Sequence, residues 1–231
     1  MLKVIAAVRR RPGMTETEYR RYVQDVHGGL VKANPLGVAR YVQNHVFDSA
    51  FGSADATEYV GVFHRDSVIE LFFESADELT RTFSHEYTRT VIGPDGARFA
   101  EAATTISFAC REKVLRAEAS DGPKVIQFLY GPGALVARWD QAHSAACKSA
   151  PELAEALRGV AVNVPLPKSG LALAGHFGSS TNLPAAVVSL SLNSDAALTN
   201  FRKYQEALAQ DLPLDCRNSF VLYSREVVIV G

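Results

Sequence analysis

The 231-residue sequence predicts an α+β chain built from two β-α-β-β-α-β units whose four-stranded sheets pack face to face. Short apolar or β-branched runs alternate with capped helical segments in one order, and that order occurs twice. The first strand candidate is apolar on both sides, which a sheet carrying helices on one face alone cannot satisfy. The length fits two units of roughly 100 to 120 residues, each able to bury a core.

Leu2 to Val8 is apolar at almost every position, as a strand covered on both faces must be. Pro12-Gly13 turns the chain, and Thr15-Glu16-Thr17-Glu18 offers a hydroxyl and a carboxylate to two unpaired backbone donors at a helix start. Tyr19, Tyr22, Val23 and Val26 recur at i, i+3, i+4 and i+7, giving that helix one apolar face. His27-Gly28-Gly29 predicts its end, with His27 as a cap beside the negative pole of the helix dipole. A strand from Val38 to Phe47 follows, carrying Tyr41, Gln43 and His45 on one face and Arg40, Val42 and Asn44 on the other. The connection from Asp48 to about Arg65 holds Phe51, Tyr59, Phe63 and His64 and is long for a loop without function. Val68 to Phe73 is the third strand, Ser75 caps a helix whose Leu79 and Phe83 face inward, and Thr104 to Cys110 is the fourth strand.

Asp121-Gly122-Pro123 reads as a linker, dividing the chain into domains at residues 1–118 and 121–231. Beyond it come a strand from Val125 to Tyr130, a helix from Leu135 to Lys148, strands from Leu157 to Val164 and Ala186 to Leu192, a helix capped at Ser194-Asp195, and a strand from Phe220 to Val230. His27 and Lys32 are echoed by His143 and Lys148, Ser75 and Leu79 by Ser194 and Leu198, Arg40 by Arg158, and Arg111-Glu112 by Arg225-Glu226. Their shared order points to internal duplication, which supplies the second sheet from the same chain.

The run Arg9-Arg10-Arg11-Pro12-Gly13-Met14-Thr15, then His27-Gly28-Gly29-Leu30, then Arg40-Tyr41-Val42-Gln43-Asn44-His45 resembles the EthD domain, a branch of the dimeric α/β-barrel (ferredoxin-like) superfamily. The resemblance covers the first half well and the second in outline. It implies a barrel interior that binds small molecules, and a superfamily of cofactor-free monooxygenases, cyclases, dehydratases, isomerases and haem enzymes. It also marks His27 as a family landmark, and the segment from Pro94-Asp95 to Arg98-Phe99 as another.

Composition narrows the partners. Twenty-four basic against 25 acidic residues leave no global field to recruit nucleic acid or an anionic membrane, and no apolar stretch approaches a membrane span. Cys110, Cys147 and Cys216 are odd in number and widely spaced, as reduced thiols in a cytoplasmic protein would be. No phosphate loop, dinucleotide fingerprint, nucleophile elbow or metal-ligand spacing occurs, so the expectation is no metal and no organic cofactor, with haem left open by six histidines.

Glu70, between Val68 and Phe72 on the face turned to the barrel, is expected to have a raised pKa and to act as acid or base, or else to be paired with Arg40 or Gln43. His27 and His45 complete the catalytic candidates, with Tyr22, Arg40, Tyr41, Gln43 and Phe72 as ligand contacts. Asp95 and Arg98, at i and i+3, are expected to fasten their loop. The stretch from Pro165 to Pro184, around His176 and Phe177, reads as a flexible cover. The resulting expectation is a small-molecule enzyme acting on an apolar, aromatic or polyketide-like compound by proton transfer, of oxidoreductase, dehydratase or cyclase type. The alternative is a non-catalytic binding or accessory protein of a degradation pathway. A homo-oligomer is left open.

Overall fold

The computed structural model describes residues 1–51, 64–118, 120–177 and 182–231. Among them eight strands close into a single antiparallel barrel: β1 (Leu2–Val8), β2 (Arg40–Phe51), β3 (Ser67–Phe73), β4 (Ile106–Ala117), β5 (Lys124–Leu129), β6 (Leu157–Pro165), β7 (Ala186–Leu192) and β8 (Phe220–Val230), in the order β1-β3-β2-β8-β5-β7-β6-β4. β1 sits between β3 and β4, and β5 between β7 and β8. Two four-stranded sheets meeting face to face around a barrel-like interior were expected, and the barrel closes because β2 pairs with β8 and β4 with β6, joining the sheets edge to edge within one chain.

Both joining strands outrun their hydrophobic pattern. β2 continues past Phe47 through exposed Asp48 and half-buried Ser49 and Ala50, and β4 past Cys110 into largely exposed residues held by ladder hydrogen bonds rather than burial; closure leaves no free edge. The long connection expected from Asp48 is therefore partly strand. Tyr59 and Phe63 lie outside the described residues, as does Gly178 of the expected cover.

The first helix, α1, spans 16–33. Thr15 and Glu18 form the reciprocal cap, Glu18 N donating to Thr15 Oγ1 at 3.2 Å and Thr15 N to Glu18 Oε2 at 2.8 Å. His27 does not end this helix, as had been expected. Glu16–Arg21 is α-helical, Tyr22–His27 forms a π-helical turn, and Gly28–Ala33 is α-helical again. The wider turn rotates everything after it, so Val26, assigned to the apolar face by spacing, is 45% exposed, while Val31 is buried. The same half adds α2 (Ala76–Ser84) and α3, in which a π-helical Thr88–Ile92 runs into Gly93–Gly96. The C-terminal half adds α4 (Ala134–Ser149), α5 (Pro151–Ala156), the short α6 (Ser169–Ala172) and α7 (Ala174–Phe177), and α8 (Phe201–Asp211).

Three apolar clusters result. The barrel interior is filled by Ile5, Val68, Phe108, Phe128 and Phe220, the last two stacked at 4.6 Å. Outside it, Tyr19, Val23, Tyr41 and Phe73 pack beneath the N-terminal helices, and Trp139, Leu190, Phe201 and Tyr204 beneath the C-terminal ones.

Candidate active site

Strand register separates the residues that the sequence had grouped. Val42 lies opposite Glu70 and Gln43 opposite Ile69 on β2 and β3, and directly paired residues point to the same side of a sheet. Glu70 therefore faces the barrel interior. Tyr41, Gln43 and His45 face the helices, not the barrel. They form a chain there: His45 Nε2 donates to Gln43 Oε1 at 2.9 Å, and Gln43 Nε2 donates to Tyr41 OH and to Val23 O, both at 2.8 Å. Val23 O lies beside the π-helical turn, and Gly28 lets α1 approach, since a Cβ there would sit 3.1 Å from Val23 O and 3.3 Å from Gln43 Nε2. Burial, and then the charge of Arg20, push the His45 imidazole down to about 4. Buried and neutral, His45 fixes the amide of Gln43, which holds β2 to α1.

Glu70 is a structural ion. Its carboxylate meets Lys3 Nζ at 2.5 Å and Lys124 Nζ at 2.6 Å, and accepts from Asn44 Nδ2 at 3.0 Å. Burial alone would raise its pKa, but the two ammonium groups outweigh that and hold it well below the carboxylate range. The expected raised pKa is thus reversed, and neither Arg40 nor Gln43 is the partner. Lys3 and Lys124 also pair with Glu112 at 2.7 Å and Glu226 at 3.0 Å. Phe72 closes this end of the interior, with Lys3 Nζ 4.9 Å and the Arg40 guanidinium 5.5 Å from its ring centre. Arg40, paired with Glu226 at 2.8 Å, belongs to the same network. Arg40, Phe72 and Glu70 lie apart from the cavity described next.

That cavity, of about 310 Å³, lies between α1, α2, α3 and the outer face of the N-terminal sheet. Val23, Val31, Ile69, Leu71, Phe83 and Phe99 give it mainly apolar walls. Leu36, also on the wall, is held at φ 52°, a left-handed conformation that a branched residue rarely adopts. Tyr41 lines it too, and so does His27. His27 Nδ1 is 2.9 Å from Asp95 Oδ2, and Tyr22 OH donates to Asp95 Oδ1 at 2.6 Å. Five residues apart, Tyr22 and His27 would diverge by about 140° on a regular α-helix. The π-helical turn brings both to one carboxylate, and such turns recur at functional sites.

A carboxylate only accepts, so the Nδ1 proton of His27 is donated to Asp95 and the lone pair stays on Nε2. Nε2 has no hydrogen-bond partner among the described residues, and the ring packs on Phe99 at 4.7 Å. Burial lowers the proton affinity of His27 more than Asp95 restores it, which leaves a neutral imidazole with a free basic nitrogen. Thr88 Oγ1, also on the cavity wall, is buried without a partner among the described residues.

Asp95 was read from the sequence as a loop fastener for Arg98. That contact is long, at 3.8 Å, and Arg98 is 74% exposed. Asp95 is instead the orienting group of His27, a role that only the proximity of 22, 27 and 95 in space reveals. His176 and Phe177 complete the cavity from the C-terminal half.

Among the described residues no helix is long and apolar enough to cross a membrane, and no cluster of three potential metal ligands occurs. No curated protein matches the chain. In fold it is similar to an anthrone oxidase-like protein (TM-score 0.62, 12% identity, 98% of this chain and 91% of that one). It is also similar to a putative monooxygenase from Fusobacterium nucleatum subsp. nucleatum (TM-score 0.58, 8% identity, covering 98% and 93%). A mutant chlorite dismutase from Candidatus Nitrospira defluvii is a further neighbour (TM-score 0.54, 9% identity, covering 99% and 92%). At such identities the likeness is one of fold. Residues 11–103 match the EthD domain, a stretch that holds α1, β2, β3, α2 and α3 of the closed barrel.

Proposed function

We propose that this chain is a small-molecule enzyme that takes a proton from an apolar, aromatic or polyketide-like substrate without an organic cofactor. The observation that carries the proposal is the His27–Asp95 pair on the wall of an otherwise apolar cavity, whose volume falls at the lower end of the roughly 300–1,000 Å³ typical of ligand sites. His27 Nε2 is the base, Asp95 fixes its tautomer, and Tyr22 holds Asp95 in place. The low-polarity walls favour a neutral substrate and discourage charge until the proton moves.

The names of two fold neighbours, an anthrone oxidase-like protein and a putative monooxygenase, favour an oxidative outcome. For an anthrone-type compound, His27 removes a ring-methylene proton and the electron pair passes to the carbonyl oxygen. The resulting phenolate reacts with dioxygen to give the quinone and water. Dehydratase and cyclase reactions begin with the same proton abstraction, so the pair also serves them.

The two halves, 1–118 and 121–231, are read here as diverged copies of one ferredoxin-like unit. Lys3 and Lys124, Asn44 and Asn163, and Glu112 and Glu226 hold matching register positions with matching partners. The free thiols fit a cytoplasmic setting.

Anaerobic deuterium exchange at the anthrone methylene, followed by NMR, tests the reaction. The wild type should accelerate exchange, and His27→Gln should remove roughly 10² to 10⁴ of that acceleration. Tight binding without exchange would leave a binding protein in place of an enzyme.

A further inference from the structure

We propose that His176, carried by the C-terminal half, is the second working group of this cavity: its ring N–H holds the substrate oxygen on which negative charge gathers when His27 removes the proton. The inference rests on the proton-abstraction reading of His27 and names the group that reading lacks. A base alone leaves the electron pair of the broken C–H bond unstabilised, and an apolar cavity makes that charge costly unless a donor meets it.

Other donors line the cavity too: Thr88 offers a hydroxyl, Asn34 an amide, and Tyr41 OH, which accepts from Gln43, keeps its own proton to give. His176 lines the same cavity as His27 and makes no hydrogen bond through either ring nitrogen among the described residues. Its ring packs against Phe83 at 4.7 Å, and the neighbouring Phe177 meets the same ring at 5.8 Å.

The segment that carries it is anchored rather than loosely draped. Leu166 N donates to Ala109 O at 2.8 Å and Ser169 Oγ to the same carbonyl at 3.0 Å, while Leu173 is buried in the apolar cluster of the N-terminal half. Gly175, His176 and Phe177 of the expected cover thus line the cavity of the other half. Burial lowers the proton affinity of His176. A neutral imidazole has one N–H to give and one nitrogen that accepts. In the step proposed, His27 Nε2 gains the proton, the C–H pair becomes a C=C bond, and the carbonyl pair moves to oxygen, hydrogen-bonded by His176. Reversal returns a deuteron from solvent.

The test is anaerobic exchange of anthrone in D2O with wild type, His27→Gln, His176→Ala and His176→Gln, with Kd and thermal midpoint measured for each. His176→Ala should bind anthrone with little change yet lose roughly 100-fold or more in exchange rate, as removal of one oxyanion donor does. His176→Gln, which keeps an N–H, should recover much of that loss. Exchange that needs His27 but proceeds at the wild-type rate in His176→Ala would overturn this proposal alone. So would a loss confined to Kd, or a lowered thermal midpoint with no rescue by glutamine, because either outcome makes His176 a wall. A wild type that binds anthrone without exchanging it would overturn the reading of His27 and this proposal with it.

Discussion

The two helix–sheet layers of this barrel have the same parts and opposite contents. Beneath α1 is an open cavity; beneath α4 the space is filled. Four residues before His27 stands Val23, and four before His143 stands Trp139, fully buried and stacked on the His143 ring at 4.6 Å. His143 Nδ1 is hydrogen-bonded to the Tyr204 hydroxyl at 2.7 Å and Cys147 Sγ lies 3.7 Å from Nε2, so neither nitrogen is free. The polar chain of Tyr41, Gln43 and His45 becomes Val160, Val162 and Val164 at the matching register, and α4 runs as one α-helix without a π-helical turn. A filled layer is what stability alone would select. The N-terminal layer gives up packing, keeps a distorted helix and leaves one imidazole nitrogen unused, and the proposed proton abstraction is set there.

The barrel interior is unequal in a different way, and breaking it should have the largest effect. Glu70 and Ser189 hold matching positions, so one carboxylate serves Lys3 and Lys124 together and ties the halves to each other. Glu70→Gln would leave two buried ammonium groups short of a counter-charge, with an expected loss of about 3–5 kcal/mol in urea unfolding. An unchanged unfolding midpoint would show the network to be dispensable. Glu70 has a depressed folded pKa, so its contribution is present above the unfolded value of about 4.3 and lost as pH falls below it. Lys3 behaves in the opposite sense. Burial would lower its pKa, but Glu70 and Glu112 push it up to about 12, so its stabilisation holds below the unfolded value of about 10.4 and fades as pH rises toward 12.

Exchanging the contents of the layers is the next test. Trp139→Ala should cost about 3–5 kcal/mol and open a hole beside His143. Val23→Trp should fill the cavity and abolish ligand binding, at an overpacking cost of about 1–3 kcal/mol. Calorimetry of both variants with anthrone as the probe reads the result. Retained binding in Val23→Trp would place the ligand elsewhere.

Much of this fold is legible in the sequence because capping at Thr15 and Ser75, apolar runs and turn pairs act locally. The site is less so. When both faces of β2 mix polar and apolar residues, nothing local says which is inside, and a one-residue slip exchanges them. Matching Arg40 with Arg158 made that slip; the register sets Arg40 opposite Phe72 and Gly159 opposite Ser191, one position along. Spacing predicts an α-helix through Val26 and cannot foresee the added residue of a π-helical turn. Glu70 looked like an acid because its two lysines arrive from β1 and β5, distant in sequence. His176 reaches the cavity only through barrel closure.

His27 and His143, placed alike by the sequence, should behave differently. His27→Gln should abolish turnover with little loss of stability. His143→Gln should keep turnover and lose about 0.5–1.5 kcal/mol with its hydrogen bond to Tyr204. Wild-type activity should rise with pH through a midpoint below the ordinary histidine value of about 6.5, because burial lowers the proton affinity of His27 and the base must be unprotonated. A midpoint above that value, or equal losses in the two variants, would make His27 a structural residue like its counterpart.

The smallest effect belongs to Arg98, and it decides what Asp95 is for. The guanidinium is 74% exposed and 3.8 Å from the carboxylate, which is itself 8% exposed and already bound by Tyr22 and His27. An exposed pair of that geometry is worth about 0–1 kcal/mol. Arg98→Ala should therefore shift the unfolding free energy by no more than that and leave turnover near wild type. Asp95→Asn should do the reverse. An amide can offer N–H to His27 Nδ1, which favours the tautomer with its proton on Nε2 and removes the base, so turnover should fall by roughly 10² to 10⁴. If Arg98→Ala proves as damaging as Asp95→Asn, the pair is a loop fastener after all, and the difference between the two layers reduces to packing.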